Sequence, residues 1–182
     1  MHKLFLLTAI SALIISCNSN SSPAPETKDT TVAVVTEEAP VNFLYPSAYP
    51  SDWKIGDPKN ILKVQELYKI MLSDSNYEAM KPYFADTVTN IMFDNRKIRL
   101  SAEQFINNVK QFRKGYKTLD EDFRNYVSLR SDSQNIDMVM LWLKEKGVRS
   151  NGKVDSSGYQ ETWRFNKDGK IDYRSTYVRF DF

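Results

Sequence analysis

The sequence predicts an α+β domain in which a curved antiparallel sheet wraps around about three N-terminal helices. Apolar residues recur at helical spacing in residues 57–84 and again in residues 101–115. From residue 119 onward they alternate instead, and polar turn signals separate the alternating runs. Helices with one apolar stripe must bury it against a face of the sheet, so we expect the sheet to curve around them.

The three helices have recognisable starts and ends. The first is predicted to begin at Asp57, an N-cap residue. One of its faces carries Ile61, Val64, Tyr68, Met71 and Leu72. A second, short helix is expected over residues 77–84. The third begins at a capping box formed by Ser101 and Gln104, and Gly115 ends it.

The remainder of the chain is predicted to be mainly strands. We expect them at residues 87–93, 119–130, 135–144, 159–165 and 170–180, with a polar loop at 147–157 and a hairpin turn at 166–169. Leu119, Phe123, Val127 and Leu129 are expected on one face of their strand. Residues 135–144 are apolar on both faces, which predicts a strand that is covered on both sides.

The N-terminal segment has the pattern of an export signal. Positive charge at Lys3 precedes twelve largely apolar residues, 4–15, which as a helix span about 18 Å against about 30 Å for a bilayer core. Residues 14–17 resemble the lipobox of bacterial lipoproteins, which implies cleavage before Cys17 and lipid on its sulfur. The alternative is an ordinary secretory signal followed by a chance cysteine.

The region after Cys17 has the composition of a tether. Residues 18–42 are rich in Ser, Thr, Pro, Ala and Glu and contain no aromatic residue. The predicted organisation is therefore a signal peptide at 1–16, a lipidated tether at 17–43 and a folded domain at 44–182. We expect attachment to a bacterial membrane in the cell envelope. Because the first acidic residue after Cys17 is Glu26, we expect the periplasm-facing side.

Composition excludes several classes of function. The net charge of +2 does not suit a nucleic-acid binder. The chain has one histidine, at position 2, and one cysteine, so the mature protein would hold no histidine and no free thiol. Serine–histidine triads, cysteine–histidine dyads and the usual zinc sites are thereby excluded. We expect no cofactor and no metal.

Three short pieces carry a resemblance to a known fold family. They are Phe84-Ala85-Asp86, residues 98–105 (IRLSAEQF) and residues 163–171 (WRFNKDGKI). In this order and spacing, residues 57–182 resemble the nuclear transport factor 2-like superfamily, which includes ketosteroid isomerases and SnoaL-like polyketide cyclases. The resemblance implies a cone-shaped fold with a pocket between helices and sheet. A homodimer through the outer sheet face is often seen in this superfamily.

The family's catalytic residues match only in part. The resemblance places Tyr68 at the oxyanion-stabilising tyrosine of the ketosteroid isomerases. It places Met92 at their catalytic aspartate and Gly158 at their second acid. A thioether takes up no proton at neutral pH, so this base is lost. Asp94, two residues farther along, is a candidate for a displaced base.

The candidate pocket residues combine acids, hydroxyl donors and aromatic rings. They are Tyr68, Met92, Asp94, Trp142, Glu161, Trp163, Tyr173 and Tyr177. Each also has a plainer interpretation: a turn carboxylate for Asp94, a cross-strand ion pair for Glu161, and core or dimer contacts for the aromatic residues. No residue is assigned a catalytic role.

Three functions remain open. The favoured one is a non-catalytic binding or accessory module whose pocket takes a small apolar ligand or a segment of a partner protein. The second is an isomerase, dehydratase or cyclase that uses a pocket carboxylate with Tyr68. The third is a structural or assembly module, with the cone filled by its own side chains and the outer sheet face used for contact.

Overall fold

A computed structural model of the chain separates Leu44–Phe182 as a compact unit. It describes residues 44–48, 52–73 and 76–179. The predicted signal peptide, Cys17 and the tether lie outside the described residues. None of the described helices has the length and apolar character needed to cross a bilayer.

Two α-helices and one 3₁₀ helix form the helical layer of the described domain. Helix α1 spans Lys59–Ser73, the 3₁₀ helix spans Tyr77–Tyr83, and α2 spans Ala102–Lys114. The Asp57 carboxylate accepts the Lys59 N–H at 2.8 Å, as expected of a capping residue. The predicted capping box of α2 is confirmed, because Ser101 and Gln104 exchange hydrogen bonds of 2.9 and 3.1 Å.

The strands form one seven-stranded sheet in the order β1-β4-β5-β6-β7-β2-β3. They are β1 Trp53–Ile55, β2 Phe84–Ile91, β3 Lys97–Ser101, β4 Tyr116–Ser131, β5 Ile136–Arg149, β6 Val154–Phe165 and β7 Ile171–Arg179. Strands β2 and β7 run parallel, so the sheet is mixed rather than wholly antiparallel. The parallel contact arises because the chain passes from β2 through α2 and the whole meander before β7 returns beside it.

The predicted polar loop at residues 147–157 is wrong. Strands β5 and β6 extend through most of it, and a tight turn joins them, closed by the Arg149 N–H bonding the Lys153 carbonyl at 2.8 Å. These arms carry mostly polar residues, so the pairing of the two strands rather than apolar burial specifies them. Gly147 permits the close approach of Tyr116, whose ring would lie 2.5 Å from a Cβ at that position.

A bulge in β4 changes which of its residues face the helices. Phe123 pairs with Leu143 but Asn125 pairs with Trp142, so one extra residue lies between them. Beyond the bulge the alternation is reversed. The prediction that Leu119, Phe123, Val127 and Leu129 share one face is therefore wrong. Val127 and Leu129 lie on the opposite face from Leu119 and Phe123.

The core lies between the helices and the inner face of the sheet. It is built from buried side chains on α1, α2 and the central strands, among them Val64, Leu67, Phe105, Val139, Leu141, Leu143, Phe165 and Ile171. On β5 the inner residues are buried, whereas the alternating residues of the other face, including Trp142, are only half-buried. The helices therefore cover one face of the sheet.

Candidate functional site

A cavity of about 490 Å³ lies between the helices and the inner face of the sheet. Helix α1 contributes Leu67 and Tyr68 to its wall, and α2 contributes Phe105 and Val109. The sheet contributes most of its polar lining, namely Asn90, Glu121, Glu145, Glu161, Arg174 and Thr176, and α2 and the turn after β2 add Asn108, Gln111 and Arg96. A mainly apolar cavity with a few converging polar groups is typical of small-molecule sites.

The structure brings four of the predicted pocket residues to the cavity wall. They are Tyr68, Met92, Glu161 and Trp163. Tyr68 projects from α1, while Glu161 and Trp163, two residues apart on β6, both lie on its inner face. Met92 directly follows β2, where its sulfur accepts a hydrogen bond from Asn90 Nδ2 at 3.0 Å.

The other four predicted residues do not line the cavity. Trp142 lies on the opposite face of β5 from Leu141 and Leu143. Tyr173 and Tyr177 likewise lie on the opposite face of β7 from Arg174. Aromatic character alone did not distinguish the two faces of these strands.

Asp94 is the fourth residue to be corrected. It lies in the exposed turn between β2 and β3, where its carboxylate pairs with Arg96 at 2.5 Å. The hydrogen bond from the Arg96 guanidinium lowers the pKa of Asp94 below its usual value. An exposed, ion-paired carboxylate with a lowered pKa does not serve as a displaced base in the cavity.

Glu161 stands at the centre of a saturated polar network. It is 2% exposed, and one of its carboxylate oxygens accepts hydrogen bonds from Tyr68 Oη at 2.6 Å and from Trp163 Nε1 at 2.9 Å. The other oxygen forms an ion pair with Arg174 and accepts a bond from Thr176 Oγ1 at 3.2 Å. Four side chains on three elements therefore hold this carboxylate in place.

This network raises the pKa of Tyr68 and of Arg174. Burial, and then the charge of Glu161, raise the pKa of Tyr68 well above its usual value, so the phenol remains a donor. Burial opposes the charge of Arg174, but the adjacent Glu161 outweighs it and raises the pKa of the guanidinium. With its lone pairs occupied, Glu161 serves as a structural anchor for Tyr68 rather than as a free base.

A pair of carboxyl groups that was not predicted from the sequence lies in the same cavity. Glu121 on β4 is directly opposite Glu145 on β5, and each acid affects the pKa of the other. Burial first, and then the neighbouring Glu145, raise the pKa of Glu121 to about 10. Burial also raises the pKa of Glu145, so the pair holds a proton at neutral pH.

A signal for this pair was present in the sequence. Glu121 lies between Leu119 and Phe123 at the spacing of their inward face, and Glu145 continues the alternation that includes Leu143. An acidic residue on the apolar side of a strand marks a buried carboxyl group. That the two acids meet depends on strand register, which the sequence pattern does not supply.

Two buried oxygen atoms of the cavity lining lack a hydrogen-bond partner among the described residues. They are Asn90 Oδ1 and Glu121 Oε2. Asn90 is 6% exposed and directs its amide nitrogen at Met92, which leaves the carbonyl oxygen unpaired. Buried polar atoms are nearly always paired in folded proteins, so unpaired acceptors in a cavity indicate a site for a donor.

The lining acids do not form a metal site. Among the described residues no group of three or more His, Cys, Asp or Glu side chains could hold a metal ion.

Comparison with known proteins finds no similarity in sequence but a clear similarity in structure. No protein-family model matches the chain, and no curated protein matches it significantly. A nuclear transport factor 2-like protein of unknown function from Exiguobacterium sp. 255-15 superimposes with a TM-score of 0.53 at 14% identity, over 64% of this chain and 98% of that chain. A candidate SnoaL-like polyketide cyclase from Jannaschia sp. CCS1 gives 0.51 at 12% identity, over 73% and 91%. A candidate hydroxylase from Streptomyces galilaeus gives 0.53 at 12% identity, over 67% and 79%.

The domain has the nuclear transport factor 2-like cone fold. The fold predicted from the sequence is confirmed, with three helices and a curved, unclosed sheet. At these identities the similarity extends to the fold alone. Within this nuclear transport factor 2-like cone, Met92 lines the cavity at the position where the resemblance expects an aspartate, and the cavity's buried acids lie on β4, β5 and β6 instead.

Proposed function

We propose that the domain binds a small, largely apolar molecule in the cavity between its helices and its sheet. The observation that carries this proposal is the cavity itself, with its aromatic and aliphatic walls and its unpaired buried acceptors, Asn90 Oδ1 and Glu121 Oε2. A cone filled by its own side chains, as the assembly hypothesis expects, would leave no such space. An unpaired buried acceptor costs free energy that a ligand with a hydrogen-bond donor recovers.

The test compares two tryptophan substitutions at neighbouring positions of α2. Val109 lines the cavity, whereas Lys110 is exposed and does not. Val109→Trp fills the space, and Lys110→Trp adds the same ring outside it. A small-molecule library screened by ligand-observed NMR should yield compounds that bind the wild type and Lys110→Trp but not Val109→Trp. The absence of any such compound would contradict the proposal.

We also propose that the protein is exported and held in the cell envelope by lipid on Cys17, facing the periplasm. The support is the apolar run at 4–15, the lipobox-like residues 14–17 and the tether composition after them. Cys17→Ser should move the protein from the membrane fraction to the soluble fraction, while Ser19→Ala should not. If Cys17→Ser remains in the membrane fraction, the anchor is not this cysteine.

The alternative function is proton-transfer catalysis, and the Glu121–Glu145 pair is the observation that favours it. Two interacting carboxyl groups, of which one holds its proton at neutral pH, can act as general acid and base. Deuterium exchange beside the carbonyl of cyclic ketones in heavy water measures this activity. Exchange that the wild type accelerates and Glu145→Gln abolishes would favour the enzyme over the binding module.

A further inference from the structure

The charges of the cavity are unevenly compensated. Glu161 is neutralised by Arg174, which lies beside it in an ion pair. Among the described residues, neither Glu121 nor Glu145 forms an ion pair with a lysine or arginine. Two facing carboxyl groups without a paired cation favour the binding of a positive charge beside them.

The groups around the pair do not form an ion pair with it. Arg174 is near enough to lower the pKa of both acids, but its guanidinium is paired with Glu161. Tyr159 Oη lies 3.5 Å from Glu145 Oε1, and burial keeps this phenol neutral by raising its pKa to about 12. Tyr116 is also neutral, because burial raises its pKa. Arg149 is near enough to affect the field, but its guanidinium is paired with Asp155.

The unpaired atoms of the cavity are all of one kind. Asn90 Oδ1 and Glu121 Oε2 are both oxygen atoms, and they lie on strands separated by three others in the sheet order. Asn90 is more than nine-tenths buried, so solvent does not satisfy its oxygen. A ligand that matches this lining brings donors to at least one of these atoms and needs few acceptors of its own.

The walls of the cavity suit the apolar part of a cation. Tyr68, Phe105, Tyr159 and Trp163 present aromatic rings to the space. Aromatic faces attract ammonium groups as well as hydrocarbon, and the attraction strengthens where water is excluded. Aromatic walls and an uncompensated carboxyl pair therefore favour the same class of molecule.

We infer that the ligand of this cavity is an organic amine, with an apolar body between the helices and the sheet and a protonated amino group donating to Glu121 and Glu145. This inference rests on the proposed function and specifies its ligand class. An ammonium group provides three donors and the missing positive charge, whereas an alcohol of the same shape provides one donor and no charge.

The experiment compares two probes that share a skeleton. Naphthalen-1-ylmethanamine and naphthalen-1-ylmethanol differ in the amino and hydroxyl groups alone. Titration calorimetry at pH 7 should show that the wild type binds the amine at least about tenfold more tightly than the alcohol. In Glu121→Gln/Glu145→Gln the amine affinity should fall by about tenfold to a hundredfold while the alcohol affinity is retained.

Asp120→Asn is the matched control. Asp120 neighbours Glu121 on β4 but is exposed and does not line the cavity, so its loss changes the net charge without changing the pair. It should leave both affinities unchanged. If the double variant does not fold, Glu145→Gln alone provides the comparison, with circular dichroism as the check on folding.

The outcomes separate the two levels of the proposal. If the alcohol binds the wild type as tightly as the amine, or if the double variant retains the preference for the amine, the inferred ligand class is wrong. If library compounds occupy the cavity but are neutral or anionic, that class is also wrong, although the binding function stands. If no compound distinguishes Val109→Trp from Lys110→Trp, the binding function itself fails.

Discussion

Replacing Glu121 with glutamine should make the domain more stable at neutral pH. In the folded protein the pKa of Glu121 is raised to about 10, chiefly by burial, whereas an exposed glutamate titrates near 4.5. The folded state therefore holds a proton that the unfolded state releases above pH 4.5. The stability contributed by this carboxyl is complete below pH 4.5 and declines as the pH rises toward 10.

The size of the effect follows from linkage. One proton retained only in the folded state lowers the free energy of unfolding by about 1.4 kcal/mol per pH unit. Between pH 4.5 and pH 7 the loss is on the order of 3 kcal/mol, an upper bound because Glu145 shares the titration. Glutamine keeps the size and hydrogen-bonding capacity of the protonated acid but cannot ionise, so Glu121→Gln should not show this loss.

Urea unfolding at a series of pH values between 4.5 and 8 measures the difference. The two proteins should have similar stability at pH 4.5, and the variant should gain steadily as the pH rises. Asp120→Asn, on the outer face of the same strand, should follow the wild type throughout. A gap between wild type and Glu121→Gln that stays constant with pH would show that Glu121 is ionised in the folded state and would refute the reasoning.

Further predictions concern the hydrogen-bond network of Glu161 and the carboxylate of Asp52. Glu161→Gln should destabilise the domain by about 3 kcal/mol, because it leaves the half-buried Arg174 guanidinium without its counter-ion. Tyr68→Phe should destabilise it by about 1–3 kcal/mol, because it removes one donor to Glu161, and urea unfolding at pH 7 measures both losses. Equal losses of stability in Glu161→Gln and Tyr68→Phe would contradict the larger contribution expected of the ion pair between Glu161 and Arg174. The Ser133 N–H lowers the pKa of Asp52 to about 2, so Asp52 stabilises the fold above about pH 4 and this stability is lost as the pH falls through 2. In Asp52→Asn this part of the acid transition should disappear from unfolding curves recorded between pH 4 and 2, and an unchanged acid limb would contradict it.

The helices and the central strands could be predicted because their signals are local. The capping box at Ser101 and Gln104 fixes the start of α2 through contacts three residues apart, and the apolar run at residues 135–144 identifies β5 as a strand, although it does not show which face points inward. The arms of β5 and β6 escaped prediction because polar residues paired across a ladder have no apolar pattern.

The candidate site was only partly predictable, because its polar members are brought together by register. Tyr68 was a candidate through the family resemblance and Glu161 through its residue type, and their hydrogen bond joins α1 to β6, between residues 93 positions apart in the sequence. Trp142 was assigned to the pocket by its chemistry, but its position in the alternation places it on the opposite face. The position of a residue in the strand alternation therefore indicated its face of the sheet better than its residue type did.

The carboxyl pair itself is a consequence of the bulge in β4. If the pairing of Asn125 with Trp142 continued without interruption, Lys146 would lie opposite Glu121 and an ordinary cross-strand ion pair would form. The extra residue after Phe123 moves Glu145 into that place instead, and both acids then face the cavity. The local register thus replaces a favourable charge pair by an unfavourable one inside the cone. A ligand that supplies the missing positive charge offsets that cost, whereas Glu161, already balanced by Arg174, gains nothing from it.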